Sequence, residues 1–229
     1  MTTLLLFDID GTMLHCGPKL GGFYADTYRT VLGVEPQLVG FDWSGKTDMQ
    51  IAYELGEQGG LEREQVTERL DTIRDLYAGM VREGLFAEDM TVLPGVREIL
   101  EHLTALDHVT IGLLTGNWRV TAELKLAPFD LWRLFPFGAF GDDGHHRRML
   151  PPKALERAAV SAGRSFHPDE TLIIGDAPRD IDCAHHHGIR CLSVATGRFS
   201  EDQLKKAGAD HVFADMAAAA EEIERMVDR

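Results

Sequence analysis

The sequence predicts an α/β protein built on a Rossmann-like parallel sheet with helices on both faces, and three observations support this. First, five short leucine-rich or β-branched segments recur between Gly, Pro or Asp, at Thr3–Asp8, Val109–Leu114, Thr171–Ile174, Arg190–Val194 and His211–Phe213. Second, helical patterns lie between several of them; one places four apolar residues on a single helix face, Val96, Ile99, Leu100 and Leu103. Third, strands that alternate with helices are typical of a parallel sheet covered on both sides.

Residues 19–88 interrupt this alternation, because they contain several helical patterns and no convincing strand pattern. The longest helical pattern is an apolar stripe formed by Val66, Leu70, Ile73, Tyr77 and Met80. Segment boundaries are indicated by Gly17-Pro18 and by Leu93-Pro94-Gly95. We therefore expect an α/β core at residues 1–16 and 91–229, with a smaller all-helical domain at residues 17–90 inserted after the first strand.

The composition narrows the class of protein. The chain has 229 residues, of which 44% are hydrophobic, and its 23 Lys and Arg against 37 Asp and Glu give a net charge of −14. Such a field would repel a nucleic-acid backbone. No stretch approaches the ~20 apolar residues needed to span a bilayer, and the apolar run after Met1 is too short for a signal peptide. Three cysteines without CxxC spacing suggest a reducing cytoplasm. The oligomeric state stays open.

The first strand ends in an unusual arrangement of charge. The stretch "LLLFDIDGTM" places Asp8 and Asp10 two residues apart at the end of a buried strand. Side chains at that spacing point to the same face, so both carboxylates are aimed into one small volume. Two anions there repel each other unless a positive charge lies between them.

Two later strand ends carry similar groups. "IGLLTGN" supplies Thr115, Gly116 and Asn117, whose hydroxyl, backbone N–H and following helix suit phosphate oxygens. "LIIGDAPRD" supplies Asp176 and, one helical turn along on the same side, Asp180. The carboxyl ends of the strands are where open α/β sheets bind ligands. Because Mg²⁺ prefers oxygen ligands, an ion between Asp8 and Asp176 would relieve the repulsion and neutralise an incoming phosphate.

The motifs "DIDGTML", "LLTGN" and "GDAPRD", in this order, resemble the haloacid dehalogenase superfamily of hydrolases, specifically its phosphatases related to phosphoglycolate phosphatase. The resemblance covers nearly the whole chain and implies a mobile all-helical cap domain at residues 17–90. It implies that Asp8 is the nucleophile, that Asp10 is the acid and base, and that Thr115 binds the phosphoryl group with Gly116 and Asn117 beside it. Mg²⁺ would be held by Asp8, Asp176 and the backbone carbonyl of Asp10. Asp180 would support the metal site without binding the ion directly.

The expected activity is therefore hydrolysis of a small phosphorylated metabolite through an aspartyl-phosphate. A carboxylate nucleophile divides hydrolysis into two displacements, and Asp10 is placed to serve as acid and then as base. Metal-free dehalogenases of the superfamily typically lack the second Asp, so its presence favours phosphate. A phosphoglucomutase-type transfer remains an alternative, whereas a non-catalytic binding domain would have no need of Asp10.

A second phosphate-binding motif competes with this interpretation. The stretch "GFDWSGKT" from Gly40 to Thr47 matches the P-loop pattern of nucleotide hydrolases letter for letter. That loop must follow a buried strand, but the preceding "VEPQLV" is short and contains a proline. We expect instead a cap loop that faces the active site, where Lys46 either reaches the substrate or is a solvated surface charge.

One motif of the family is altered in this chain. These phosphatases carry a cation, usually Lys followed by Pro-x-Pro, which bridges the nucleophile and the phosphate. Here the stretch "HHRRMLPPKALERA" offers three cations. Lys153 has the expected type but follows the prolines, inside the first turn of a helix. Matching the helix that follows to those of related phosphatases favours Arg147 as the family's cation, then Arg148 and then Lys153. An Arg can bind phosphate and carboxylate oxygens bidentately. A solvated basic loop is the alternative.

Overall fold

The structure is a computed structural model that describes residues 3–228, so residues 1, 2 and 229 of the predicted core lie outside it. Its strands are β1 Thr3–Phe7, β2 Leu14–Cys16, β3 Met90–Val92, β4 Val109–Leu114, β5 Gly138–Ala139, β6 Thr171–Gly175, β7 Arg190–Val194 and β8 His211–Phe213. Six of them form one parallel sheet in the order β5-β4-β1-β6-β7-β8. The predicted parallel sheet is confirmed, and β1 lies inside it between β4 and β6.

The central position of β1 follows from its sequence. Leu4, Leu5, Leu6 and Phe7 are fully buried, as expected for a strand covered on both faces. In the register of the sheet, Leu5 lies between Ile111 of β4 and Leu172 of β6. Each of the three strands ends one residue before a polar residue of the motifs, so those residues meet at one edge of the sheet.

The helices are α1 Lys19–Leu32, α2 Asp48–Gln58, α3 Arg63–Thr67, α4 Leu70–Gly84, α5 Val96–Thr104, α6 Arg119–Leu126, α7 Leu150–Ala162, α8 Pro178–His186, α9 Glu201–Ala207 and α10 Met216–Val227. On one face of the sheet, α5, α6 and α10 pack around a cluster that includes Leu5 and Leu100. On the other face, α7, α8 and α9 pack around a cluster that includes Leu6 and Ile181.

Helices α1 to α4 have a third apolar cluster of their own, which includes Tyr28, Leu55 and Tyr77. No strand lies within residues 19–88, as predicted. The predicted single stripe from Val66 to Met80 is wrong in one respect, because the chain turns at Glu68 and Arg69 and divides it between α3 and α4. Val66 still packs in the same cluster as Tyr77.

A small antiparallel sheet joins the helical segment to the core. Leu14 of β2 pairs with Val92 of β3, so the two connections run side by side. The outer end is closed by a hydrogen bond from the Gly17 N–H to the Asp89 carbonyl at 2.9 Å. The predicted division at residues 16/17 and 90/91 falls at this pair of strands, and it stays a prediction.

In the part of the chain that the structure describes, no helix combines the length and the apolar character needed to cross a membrane.

A test of the packing uses two glycines in the left-handed conformation. Gly95 has φ +78°, and a Cβ there would lie 2.2 Å from the backbone nitrogen of Ala217 in α10; Gly33 has φ +67° with no atom within 4 Å. Gly33→Ala should lower the free energy of unfolding by about 1 kcal/mol, the cost of the conformation alone. Gly95→Ala should cost about 1–3 kcal/mol more, because α10 must shift. Urea denaturation measures both, and equal losses would contradict the packing described.

Candidate active site

The site lies at the carboxyl edge of the sheet. Asp8 follows β1, Thr115 follows β4 and Asp176 follows β6, and these are neighbouring strands. The backbone N–H of Asp8 continues the ladder by donating to the Ile174 carbonyl at 2.9 Å. The sheet therefore brings together the three strand ends that were predicted from the sequence to carry the site, although they lie far apart along the chain.

Three carboxylates converge at this edge. Asp8, Asp176 and Asp180 each place one oxygen within 4.8 Å of the others, and all three side chains are buried. Burial raises the pKa of Asp8 to about 6, although the charge of Arg147 opposes this. Burial and the nearby Asp180 and Asp8 carboxylates raise the pKa of Asp176 well above its usual value. The cluster is thus short of positive charge.

Asp180 owes its orientation to the first turn of α8. Its Oδ2 accepts the backbone N–H groups of Asp176 and Ala177 at 3.1 and 2.9 Å. This arrangement fixes the loop that carries Asp176 and turns the other oxygen, Oδ1, towards the cluster. The predicted position, one turn from Asp176 and on its side, agrees with the structure.

The donor set fits a hard divalent cation. Gly197 lies against Asp176, where a Cβ on the glycine would come within 1.7 Å of the carboxylate Oδ2, so only a glycine leaves that oxygen of Asp176 uncovered at this position. Its other oxygen accepts the Thr12 hydroxyl at 3.2 Å, which holds the carboxylate in place. Buried carboxylate oxygens with little neutralising charge are the ligands that Mg²⁺ prefers. Asp8 and Asp176 could hold such an ion.

Arg147 supplies the positive charge that the protein itself provides. Its Nη2 lies 3.0 Å from Oδ2 of Asp8 and 2.5 Å from Oδ1 of Asp180, and it donates to the Leu114 carbonyl at 3.2 Å. The side chain is 3% exposed. Although burial opposes the charge, Asp180 and Asp8 raise the pKa of Arg147, so the guanidinium stays protonated.

The other two candidate cations lie elsewhere. Arg148 pairs with Asp182 on the surface, and Lys153 pairs with Glu156 at 3.0 Å. Both side chains are more than 40% exposed. The alternative of a solvated basic loop therefore describes Arg148 and Lys153 but not Arg147.

Asp10 is held by a residue that the motifs did not identify. Nζ of Lys125 lies 2.9 and 2.7 Å from the two carboxylate oxygens of Asp10. Burial alone would raise the pKa of Asp10, but the charge and hydrogen bonds of Lys125 lower it. The sequence did contain a signal, since Lys125 falls on the buried face of α6 beside Ala122 and Leu126, where an apolar residue is expected.

Asn117 orients Thr115. Its side-chain Nδ2 donates to Oγ1 of Thr115 at 2.8 Å and to Oδ2 of Asp10 at 2.7 Å. Because Oγ1 accepts from Asn117, the hydroxyl hydrogen is left for another acceptor, as a phosphoryl oxygen would be. The predicted contact of Asn117 with substrate stays a prediction, to which the structure adds this orienting role.

A cavity of about 610 Å³ opens above these groups, between the sheet edge and the helical segment. Tyr24, Trp43 and Lys46 line its far side. The loop before α2 closes on the strand end, where the Asp48 N–H donates to the Gly116 carbonyl at 2.7 Å. Gly116 permits this approach, since a Cβ there would lie 1.9 Å from the Lys46 carbonyl oxygen.

Lys46 is not a solvated charge, so that alternative is wrong. Its side chain is 7% exposed, its ammonium pairs with Glu54, and it lies 4.3 Å from the centre of the Phe41 ring. It faces the cavity, as the first alternative expected, and its contact with substrate stays a prediction.

The loop that matches the P-loop pattern lacks the required context. Residues 33–47 contain no strand, so no strand leads into it. The loop instead contacts the core, where Nη1 of Arg179 donates to Asp42 Oδ2 at 2.6 Å and to the Ser44 carbonyl at 2.7 Å. Asp42 thus forms an ion pair with Arg179, and the motif serves as a contact between the helical segment and α8.

Comparison with known proteins agrees with this geometry. Residues 5–194 match the family model of haloacid dehalogenase-like hydrolases, so the chain belongs to that family. The resemblance inferred from the motifs is confirmed, and with it the expectation of a hydrolytic enzyme.

Two curated relatives align over most of the chain. A phosphoglycolate phosphatase from Pseudomonas putida is 25% identical over 205 residues, which cover 85% of this chain and 70% of that protein. A 5'-nucleotidase from Pseudomonas aeruginosa is 26% identical over 223 residues, 96% of this chain and 95% of that protein. The solved structure of a predicted phosphatase from Clostridium acetobutylicum covers 98% of this chain and 99% of its own, with a TM-score of 0.74 at 17% identity, and supports the fold.

Alanine substitutions test which cation serves the site. Arg147→Ala should lower phosphatase turnover by about 10²–10³-fold, the effect of removing one donor from a developing negative charge. Arg148→Ala and Lys153→Ala, which remove exposed ion pairs, should stay near wild-type turnover. Steady-state assays measure this, with thermal unfolding as a check on folding. Full activity in Arg147→Ala together with a large loss in Lys153→Ala would reverse the assignment.

Proposed function

We propose that this hydrolase is a Mg²⁺-dependent phosphatase that acts on a small phosphate monoester through an aspartyl-phosphate on Asp8, in the cytoplasm. The observation that carries the proposal is the placement of Asp8 at the end of β1, 3.0 Å from Arg147 and inside the carboxylate cluster with Asp176. The two curated relatives, both enzymes that release phosphate, support it.

Asp8 is the group that would attack phosphorus. One of its oxygens bonds to phosphorus while the bond from phosphorus to the leaving alcohol breaks. Arg147 would neutralise the phosphoryl oxygens and Thr115 would donate its hydroxyl hydrogen to one of them. Bound by Asp8, Asp176 and the Asp10 carbonyl, Mg²⁺ would neutralise the incoming phosphate dianion.

Asp10 would move the protons of both steps. It gives a proton to the leaving oxygen in the first step, and as a carboxylate it takes a proton from the attacking water in the second. That water forms a bond to phosphorus as the bond to Asp8 breaks, which releases phosphate and restores Asp8. The lowered pKa of Asp10 favours the carboxylate that takes the proton of the second step; for the first step Asp10 would take up a proton from the solvent or from a phosphate monoanion before giving it to the leaving oxygen.

The substrate class proposed is a small phosphorylated metabolite. A cavity of about 610 Å³ holds a small molecule, and its far side is formed partly by the aromatic residues Tyr24 and Trp43. The net charge of −14 disfavours a nucleic acid as a partner. A screen of small phosphate monoesters, including a generic aryl phosphate, tests the proposal with Mg²⁺ present.

Three outcomes of that screen are informative. Release of phosphate that stops when EDTA removes the metal supports the proposal. Conversion of a sugar phosphate to its isomer, without net release, would favour the phosphoglucomutase alternative. No reaction with any ester would contradict phosphatase activity.

The substitution Asp8→Asn tests the nucleophile. The amide has nearly the same shape but is a poor nucleophile and a weaker metal ligand, so turnover should be abolished while the unfolding transition is retained. Turnover of phosphate ester by the purified variant is the measurement. Near-wild-type turnover would remove the proposed mechanism.

The substitution Asp10→Asn tests the acid and base. It should lower turnover by roughly 10²–10⁴-fold, the usual contribution of general acid–base catalysis. The loss should be greatest for alkyl phosphates, whose leaving alcohols need a proton most. Rates on alkyl and aryl esters provide the comparison, and an unchanged rate on both would be incompatible with the role given to Asp10.

A further inference from the structure

The ammonium group of Lys125 donates all of its hydrogen bonds to acceptors within the protein. Its three contacts are 2.9 Å to Oδ1 of Asp10, 2.7 Å to Oδ2 of Asp10 and 2.6 Å to Oδ1 of Asn117. An ammonium group has three hydrogens to donate, and three acceptors lie within reach. All donors of the Lys125 ammonium are therefore engaged within the protein, which leaves none free to bind a phosphate.

The position of Lys125 is unfavourable for a purely structural residue. Its side chain is 3% exposed, and its neighbours on α6, Ala122 and Leu126, pack in the apolar core. Taking a lysine out of water is costly, and well-packed apolar residues often stabilise a fold as well as a buried ion pair does. Stability alone therefore gives little reason for a lysine here.

The contacts of Lys125 fix the rotation of a carboxylate that is partly exposed. The Asp10 side chain is 41% exposed and faces the cavity, so packing alone does not set its rotation. Lys125 touches both of its oxygens from below, and Asn117 holds one of them from the side at 2.7 Å. Since Asn117 also orients Thr115, one buried cation fixes the proton-transfer group relative to the phosphate-binding hydroxyl.

We propose that Lys125 is a positioning residue that holds the carboxylate of Asp10 in the orientation needed to protonate the leaving oxygen. The inference rests on the proposed function, since it assigns Lys125 a role in the reaction that Asp10 would catalyse. Lys125 lies at the wall of the cavity, but its ammonium is engaged by Asp10 and Asn117, so it would act through Asp10 and not on the reacting atoms.

The substitution Lys125→Met tests this, because it keeps the length of the side chain and removes the charge and the donors. On an alkyl phosphate, kcat/KM, which reports the steps up to departure of the leaving group, should fall roughly 10- to 100-fold, the effect of a misplaced catalytic group. On p-nitrophenyl phosphate, whose leaving group departs without a proton, kcat/KM should fall less than threefold. Hydrolysis of the aspartyl-phosphate, in which Asp10 would act as the base, comes after these steps and is common to both esters, so it does not enter this comparison.

The matched control is Lys153→Met, which makes the same change at an exposed lysine that pairs with Glu156. Both esters should be hydrolysed at the wild-type rate by this variant. The double variant Asp10→Asn with Lys125→Met should be no slower on the alkyl ester than Asp10→Asn alone, because the positioned group is already lost. Losses of kcat/KM that multiply in the double variant, or equal losses of kcat/KM on the two esters, would overturn the proposal.

The variant Lys125→Gln covers the case in which the methionine variant fails to fold. Gln keeps hydrogen-bond donors for Asp10 without the charge, so it should show the same preference for the aryl ester with a smaller loss on the alkyl ester. Wild-type rates on both esters in Lys125→Gln would count against the proposal. If the wild-type protein hydrolyses no ester, the proposed function fails; if it does and the leaving-group preference is absent from the variants, only the role of Lys125 fails.

Discussion

The arrangement of the whole site depends on compensating three carboxylates buried at one edge of the sheet. Asp8, Asp176 and Asp180 could not remain close together in a medium that solvates charge poorly without a cation beside them. Arg147 provides part of that charge by contacting Asp8 and Asp180 at once. The start of α7 is therefore anchored to Asp8, and the remaining deficit of positive charge explains why a divalent ion would fit.

A second ion pair, between Lys125 and Asp10, neutralises a different carboxylate of the site. Arg147 compensates Asp8 and Asp180, whereas Lys125 pairs with Asp10 and its charge also acts on Asp48 of the helical segment. Both cations lower the pKa of their partners, but the balance with burial differs: burial outweighs Arg147 at Asp8, whose pKa is raised, whereas Lys125 and its hydrogen bonds outweigh burial at Asp10, whose pKa is lowered. Neighbouring carboxylates of one motif thus acquire different acidities from their surroundings.

The structural features that could be predicted are those that depend on a continuous segment of the chain. The long strands and the motif residues at their ends could be located because buried strands and their polar termini have distinct local patterns. Strand β5, with two residues, and the pair β2 and β3, with three each, were not predicted, whereas β8, which also has three residues, was predicted as a short segment bounded by Asp210 and Asp215. Lys125 was also missed: its position on the buried face of α6 is a local signal, but its partner Asp10 lies more than a hundred residues away, so the signal does not show what the charge binds.

The wide separation of the site residues has a consequence for synthesis of the protein on the ribosome. Asp8 and Asp10 emerge first, but the strands on both sides of β1 are completed only with Leu114 and Gly175. Until β6 has joined the sheet, the first motif is a segment of strand followed by two unpaired acids, without the geometry of a site. The nascent chain therefore has no assembled site until β6 and Asp176 have been synthesised, long after the first motif.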